Sequence, residues 1–509
     1  MSESNTRELY RQYKETTQQA ADFNNAAAVL GWDQEVYMPP KGYPYRGRQL
    51  ATLAAHAHEL VTSEAYGDVL ERLSAASGLS EDEQDNVRLS IEDYQKNRKL
   101  SKAFVEQITQ QTSNSYNAWI QARERNDFSV YAPELAKMVE LKKQQAELYG
   151  YEGNCYDALL DDYEKGASVS MLDPVFQMVK EKLSPFLKEI TTREQVNDTF
   201  FNQPFPKQQQ WDFSIEVLKQ MGYDFEAGRQ DYSEHPFSTS FAPTDVRVTT
   251  RVSENNLASL LWSSIHEGGH ALYEQGLPEE QYGMPLGAAV SLSIHESQSR
   301  LWENCVGRSL AFWKYFYQGL QQRFSEQLGG ISLEQFYWGA NRVEPSLIRT
   351  EADEVTYHFH VMIRYDIEKA LLNNEIKTAD LSGVWNDYYK VYFDIASDDD
   401  KKGVLQDVHW SHGSFGYFPT YSLGSFYAAQ FFEQAARELV GLEGQIEHGQ
   451  FGELLQWLRT KVHRHGRRYR SEELCRNITG RGLDFSSFMS YIEGKYAGIY
   501  GLSLKSNVA

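Results

Sequence analysis

The stretch Leu257-Ala-Ser-Leu260-Leu261-Trp-Ser-Ser-Ile265-His266-Glu267-Gly268-Gly269-His270-Ala-Leu-Tyr-Glu274-Gln-Gly276 decides how the chain is read. Leu257, Leu261 and Ile265 recur every four residues with Leu260 beside them, the spacing of one buried stripe on an α-helix. Gly276 followed by Pro278 supplies the stop. On such a helix His266 and His270 stand one turn apart and point the same way, and two imidazoles so placed share one tetrahedral metal ion. Glu267 lies beside that face, where it takes a proton from an activated water. In a chain with 13 histidines the pattern His-Glu-any-any-His is expected by chance roughly 0.03 times. The metal reading therefore outweighs an exposed helix whose histidines merely face solvent. Gly268 and Gly269 each cost a helix about 1 kcal/mol against alanine, and room above a metal is the reason expected for that cost.

A catalytic zinc keeps three protein ligands and one open position, so a third ligand must come from another element. Glu296, in Ser293-Ile-His295-Glu296-Ser-Gln-Ser-Arg300-Leu-Trp-Glu303, follows His270 by enough residues for one turnabout and a facing helix. It is placed as the glutamate of His/His/Glu zinc peptidases is placed. His295 is a rival ligand and Glu303 a weaker one; a Glu296–Arg300 pair at i, i+4 is the competing structural reading. Two histidines and a carboxylate suit Zn2+, with Co2+ as a substitute. The cysteines, Cys155, Cys305 and Cys475, lie far from the motif. A closed, thiolate-rich structural zinc in a non-catalytic scaffold is disfavoured accordingly. The chemistry expected is hydrolysis: the metal polarises a scissile carbonyl, Glu267 takes the proton of water and passes it to the leaving amine, and a further donor, a Tyr or His, meets the oxyanion.

The rest of the chain frames this site. A net charge of −21 argues against nucleic acid and anionic membranes as partners. No apolar run approaches the roughly 18 residues of a membrane span. Met1–Tyr10 is polar and lacks the apolar core of a signal peptide. Three scattered cysteines make no disulfide framework, so a cytoplasmic protein is expected. Helices are expected over about 6–30, 46–75, 81–98, 101–126, 133–149 and 171–192, with a hinge at 196–206. The β-branched alternation of Val246 and Val248 predicts a strand over 244–252, which either offers an extended peptide an edge beside the motif helix or is a structural hairpin. Further helices are expected at about 291–308, 312–328, 333–340, 350–373, 379–393, 425–440, 449–464 and 485–497. Residues 409–425 read as a loop rich in Gly, Ser and aromatics. Lys461, Arg464, Arg467, Arg468 and Arg470 read as internal charge balance.

Six motifs then converge: His235-Pro-Phe237; Asp245-Val-Arg247-Val-Thr249; the His266–His270 block; His295-Glu296-Ser-Gln298; Ile348-Arg349-Thr-Glu-Ala-Asp353; and Gly403-Val-Leu-Gln-Asp407-Val-His409-Trp410. In this order they resemble the thermostable carboxypeptidase Taq family of zinc metallocarboxypeptidases over nearly the whole chain. The resemblance implies metal ligands His266, His270 and Glu296, with Glu267 as base. It implies a mainly α fold, two helical lobes around a deep cleft with a small β-sheet at the active site, similar to neurolysin and angiotensin-converting enzyme. Residues 1–509 would form one metallocarboxypeptidase domain, with a helical lid lobe over about 1–200 and a zinc-bearing lobe over about 201–509. The activity implied is stepwise release of C-terminal residues, with broad specificity, from short peptides by a homodimer. The His235 block would close the far end of the cleft.

A free C-terminus needs a cationic partner, and arginine binds it bidentately. Arg349 and Arg247 are the candidates, Arg349 being favoured because it opens an expected helix; a pairing of Arg349 with Asp353 is the alternative. Tyr421 and His409 are the candidates for oxyanion stabilisation, Tyr421 by likeness to the tyrosine-bearing glycine-rich loop of related helical peptidases, with Tyr417 its rival. Asp407 and Asp353 are candidates for orienting a metal-bound imidazole. An endopeptidase or dipeptidyl carboxypeptidase of the same architecture is the competing activity.

Overall fold

The helical patterns in the first hundred residues fold as Glu3–Val36, Tyr43–Thr62, Glu64–Ser74 and Glu81–Asn97, in a computed structural model that describes residues 3–502. The single helix expected over 46–75 is two because Ser63 takes extended backbone, and its side chain accepts from Tyr66 N at 3.2 Å. Ser80 and Ser101 cap the next two helices in the same way, ahead of Glu81–Asn97 and Lys102–Arg125. The Lys207–Met221 helix is absent from the sequence reading. Its polar, glutamine-rich start hides a stripe of Phe213, Val217, Leu218 and Met221 that is fully buried.

Three short strands make the one sheet found among the described residues: β1 (Gly228–Tyr232), β2 (Ser238–Ala242) and β3 (Asp245–Thr250), in the order β1-β3-β2. β1 runs parallel to β3, with Gly228 opposite Val246. β2 runs antiparallel, with Ser238 opposite Val248 and a register shift between Ser240 and Ala242. Val246 and Val248 are buried, as their alternation predicts. β3 is central, however, so it has no free edge, and β1 and β2 are the edges of the sheet. β1, Gly-Arg-Gln-Asp-Tyr, carries no β-branched residue and gives no strand signal in the sequence. From β3 the chain passes to Asn256, whose side chain accepts from Ser259 N at 2.8 Å and starts the motif helix Leu257–Glu274.

The chain forms two compact units that interleave in sequence. The first takes the segments up to Arg98, Asp198–Ala340 and Phe431–Gly482, and holds the sheet and the motif helix. The second takes Lys99–Asn197, Asn341–Gln430 and the residues from Leu483 on. One crossing between units falls inside the expected hinge. Within the second unit the Tyr357–Leu372 helix is buried on nearly all sides, polar Arg364 and Glu368 included. The basic cluster balances acids of its own unit: Arg467 pairs with Asp93 at 2.9 Å, and Arg468 with Asp85 at 2.8 Å. Among the described residues no helix is long and apolar enough to cross a membrane.

Candidate metal centre

Burial of Leu257, Leu260, Leu261, Ile265 and Leu272 fixes the rotation of the motif helix. His266 and His270 thereby turn toward the facing helix Leu292–Arg300, which is capped by Ser291 and carries Glu296. His266 Nε2 lies 3.6 Å and His270 Nε2 3.4 Å from Glu296 Oε2. A tetrahedral zinc with bonds near 2.0–2.1 Å sets its ligands about 3.3 Å apart, so the donors fit such an ion in type and both histidine–glutamate separations fit it in length, all three ligand atoms lying within 4.8 Å of one another. The other oxygen, Glu296 Oε1, accepts from Arg300 Nε at 2.7 Å. The ligand reading and the i, i+4 pair thus coexist, one oxygen each.

The rival ligands stand one bond further out. Glu303 Oε2 lies 2.9 Å from His266 Nδ1, and His295 Nδ1 lies 2.6 Å from His270 Nδ1. His295 Nε2 in turn lies 2.9 Å from Glu274 Oε1. The groups that hold the imidazole Nδ1 atoms are therefore Glu303 and His295. Asp353 and Asp407 are engaged elsewhere: Asp353 caps the Tyr357–Leu372 helix through Val355 N and Thr356 N, and Asp407 holds two arginines. Glu303 sits on a π-helical turn, Leu301–Gly307, that continues the facing helix; such widened turns recur at functional sites. Arg300 and Arg308 reach its carboxylate at 3.2 and 3.1 Å.

Electrostatics follow from these partners. Burial opposes charge on Glu296 and Glu303, but Arg300 overrides it and both carboxyls stay well below the usual range. Burial pushes His270 down to about 3, so it is a neutral imidazole, the form that ligates a metal. Burial also works against charge on His266, where Glu296 and Glu303 prevail and raise it. Burial pushes Glu267 up to about 7, with His266 pulling the other way.

The two glycines do not make room above the metal. A Cβ on Gly269 would come 2.7 Å from Ser299 Cα and 2.8 Å from Gln298 O, both backbone of the facing helix. One on Gly268 would come 2.4 Å from Leu218 Cδ2. They permit close helix packing, and this brings Glu296 within reach of the histidines.

The other sequence candidates fall in two places. In the sheet, Arg247 binds Asp245 at 2.8 Å through both Nε and Nη2 and stacks over Trp32, 4.4 Å from its centroid. His235 is exposed in the turn between β1 and β2, where its carbonyl accepts from Ser233 Oγ at 2.6 Å. Beside β2 a pocket of about 530 Å³ is lined by Ser238, Ser240, Tyr282, Glu274 and His295. In the second unit, Arg349 donates to Asp407 Oδ1 from Nε at 3.0 Å and Nη2 at 2.8 Å, and to the Tyr357 hydroxyl at 3.0 Å. Arg364 takes the other oxygen of Asp407 at 2.7 Å. Arg349 pairs with Asp407 and not with Asp353, the alternative partner the sequence left open. It lies in a short 3₁₀ turn ahead of the helix, which begins only at Tyr357, so the helix-terminus argument for it falls. Tyr421 is on the first turn of a helix that starts at Pro419, earlier than the loop expected there. Its hydroxyl lies 3.0 Å from His409 Nε2. Burial pushes His409 down to about 3, with Arg349 adding to the effect. Tyr417 packs on both, its ring 5.2 Å from each.

With this geometry in place, comparison with known proteins decides the family. The model of the carboxypeptidase Taq (M32) metallopeptidases matches residues 12–496. The chain belongs to that family. Thermostable carboxypeptidase 1 of Thermus thermophilus is 41% identical over 505 residues, covering 97% of this chain and 99% of its own. Carboxypeptidase 1 of Bacillus subtilis is 37% identical, covering 96% and 98%. The crystal structure of the M32 carboxypeptidase from Deinococcus radiodurans superposes with a TM-score of 0.95 at 37% identity, covering 97% and 100%. As a family member this protein is a metallocarboxypeptidase, a metal-dependent peptide hydrolase of mainly helical fold with a small three-stranded sheet.

Proposed function

We propose that the enzyme removes C-terminal residues one at a time, with broad specificity, from short peptides, in the cytoplasm and as a homodimer. His266, His270 and Glu296 hold one Zn2+, for which Co2+ substitutes, and the substrate backbone lies along the free edge of β2. The observation that carries this reading is the convergence of His266 Nε2 and His270 Nε2 on a single oxygen of Glu296, with buried Glu267 beside them. Three free cysteines suit the reducing cytosol.

When bound, the metal polarises the scissile carbonyl and acidifies water. Glu267, poised near neutrality by burial, accepts the proton as water adds to the carbonyl carbon. It returns that proton to the departing amine nitrogen as the C–N bond breaks. Tyr421, with its hydroxyl on His409, is the donor proposed for the oxyanion. Arg349 is the cation proposed for the terminal carboxylate. With Arg364 and Asp407 it forms a buried trio of two guanidiniums and one carboxylate, one positive charge in excess. His235 limits substrate length, and Arg247, already tied to Asp245, serves the sheet.

The test is a blocked peptide offered with a free C-terminus and as its C-terminal amide. Single amino acids released in sequence from the first, with the second largely untouched, are expected. Equal cleavage of both would mean an endopeptidase.

A further inference from the structure

The two imidazoles are held differently. His266 meets a carboxylate directly, whereas His270 meets a second histidine and only then a carboxylate. We propose that Glu274 is a positioning residue that sets the metal-binding tautomer of His270 through His295, an inference resting on His270 being a ligand.

A neutral imidazole has one N–H and one acceptor nitrogen, and a carboxylate only accepts. With His295 in its neutral form, which His270 needs if its Nε2 is to face a metal, the one His295 proton sits on Nε2, 2.9 Å from Glu274 Oε1. That leaves His295 Nδ1 with a lone pair. His270 Nδ1, 2.6 Å away, must then donate to it. With its one proton on Nδ1, His270 keeps a lone pair on Nε2, the atom 3.4 Å from Glu296 Oε2. The opposite order would put the proton on His270 Nε2 and close that atom to a metal. Glu274 sits one turn after His270 on the same helix, and His295 reaches both from the facing helix. Glu274 borders the pocket beside β2, together with Ser240 and His295. The chain of choices thus runs from Glu274, which has no hydrogen bond to a ligand, through His295 to the metal-facing nitrogen. His266 receives the same instruction from Glu303 in one step. Partners of this kind are worth about 10–100-fold in metal affinity.

The test is Zn2+ affinity of the full-length, metal-stripped protein, read by competition with a chromophoric chelator, with the melting temperature of each variant recorded. Glu274→Ala is expected to weaken Zn2+ binding by about 10–100-fold. Glu274→Met, similar in length and without an acceptor, is expected to do the same and serves where the alanine variant folds poorly. His295→Asn keeps an oxygen for His270 Nδ1–H and has no tautomer to choose. In that background Glu274→Ala is expected to change Zn2+ affinity by no more than about twofold. An unchanged affinity in both Glu274 variants, or an equal loss with and without His295, overturns the relay. His270→Ala separates the two levels. If it leaves Zn2+ affinity intact, the ligand reading fails and the relay with it; if it abolishes binding while Glu274→Ala and Glu274→Met do not weaken it, the relay alone fails.

Discussion

Glu303 Oε2 stands 2.9 Å from His266 Nδ1 while its other oxygen takes Arg308, so one carboxylate both aims a candidate ligand and neutralises half-buried arginines. Glu303→Gln keeps an oxygen for the imidazole but removes the charge that Arg300 and Arg308 face. Zn2+ affinity is expected to fall by about 10-fold or more, with a lower melting temperature because Arg308 loses its carboxylate partner while Arg300 keeps only Glu296. Chelator competition and thermal melts on the same preparation measure both.

Glu267 offers a separation of binding from chemistry. Its carboxyl is adjacent to the ligands in sequence yet is not among the three converging donors. Glu267→Gln is expected to retain metal while kcat falls by about 10²–10⁴-fold or more. Metal content and turnover on one sample check this; a variant that still turns over would remove Glu267 from the mechanism.

Gly269 tests why the motif contains glycine. The atoms its Cβ would meet at 2.7 and 2.8 Å are main chain of the facing helix, which cannot swing aside as a side chain can. Gly269→Ala is expected to destabilise the protein by about 1–3 kcal/mol, the range for overpacking, and to weaken Zn2+ binding because the displaced helix carries Glu296. Denaturant titration gives the first and chelator competition the second. A stable variant with unchanged affinity would return the glycines to the role the sequence suggested.

That case shows what the sequence disclosed and what it hid. The grouping of His266, His270 and Glu296 was legible because helical periodicity alone puts the two histidines on one face, and the spacing to Glu296 allows one return helix. The partners of the Nδ1 atoms were named only as rival ligands. Their order outward depends on side-chain reach and on the π-helical turn at Leu301–Gly307, which no periodicity marks. Arg349 was misplaced on a helix because the apolar pattern runs back past the true start at Tyr357, while Asp353 takes the capping role. β1 was invisible because its pairing with β3, rather than its composition, makes it a strand. The interleaving of the two units has no local signature at all.

Asp407 carries a pH prediction. Burial opposes its charge, but Arg349 and Arg364 hold its carboxyl far below the ordinary value. The folded state therefore sheds this proton at lower pH than the unfolded chain does. The resulting stabilisation is complete above the unfolded value, about 4, and drains away as pH falls toward the depressed folded value. Asp407→Asn is expected to cost about 3–5 kcal/mol at neutral pH, as for a buried ion pair broken from one side. It should also flatten the acid limb of the stability curve. Equilibrium denaturation of both proteins between pH 3 and pH 7, values chosen to bracket about 4, tests this. A mutant curve parallel to the wild type's would show that Asp407 titrates alike folded and unfolded.

Arg349 and Arg247 compete for the substrate's terminal carboxylate, and the two are separable because each is paired differently. Arg247 faces one carboxylate, Asp245, and is thereby neutralised. Arg349 shares Asp407 with Arg364, so its surroundings keep a positive charge available to an incoming anion. Replacing either arginine with lysine keeps the charge and loses the planar fork. Arg349→Lys is expected to reduce the ratio of kcat/KM for a free C-terminus over its amide by about 10-fold, the loss of roughly one charge-assisted hydrogen bond. Arg247→Lys is expected to leave that ratio within about twofold while lowering the melting temperature through its stacking on Trp32. The ratio, rather than either rate, is the measurement that matters, because a general loss of activity cancels in it. The reverse pattern, with Arg247→Lys collapsing the ratio and Arg349→Lys sparing it, would transfer carboxylate recognition to the sheet.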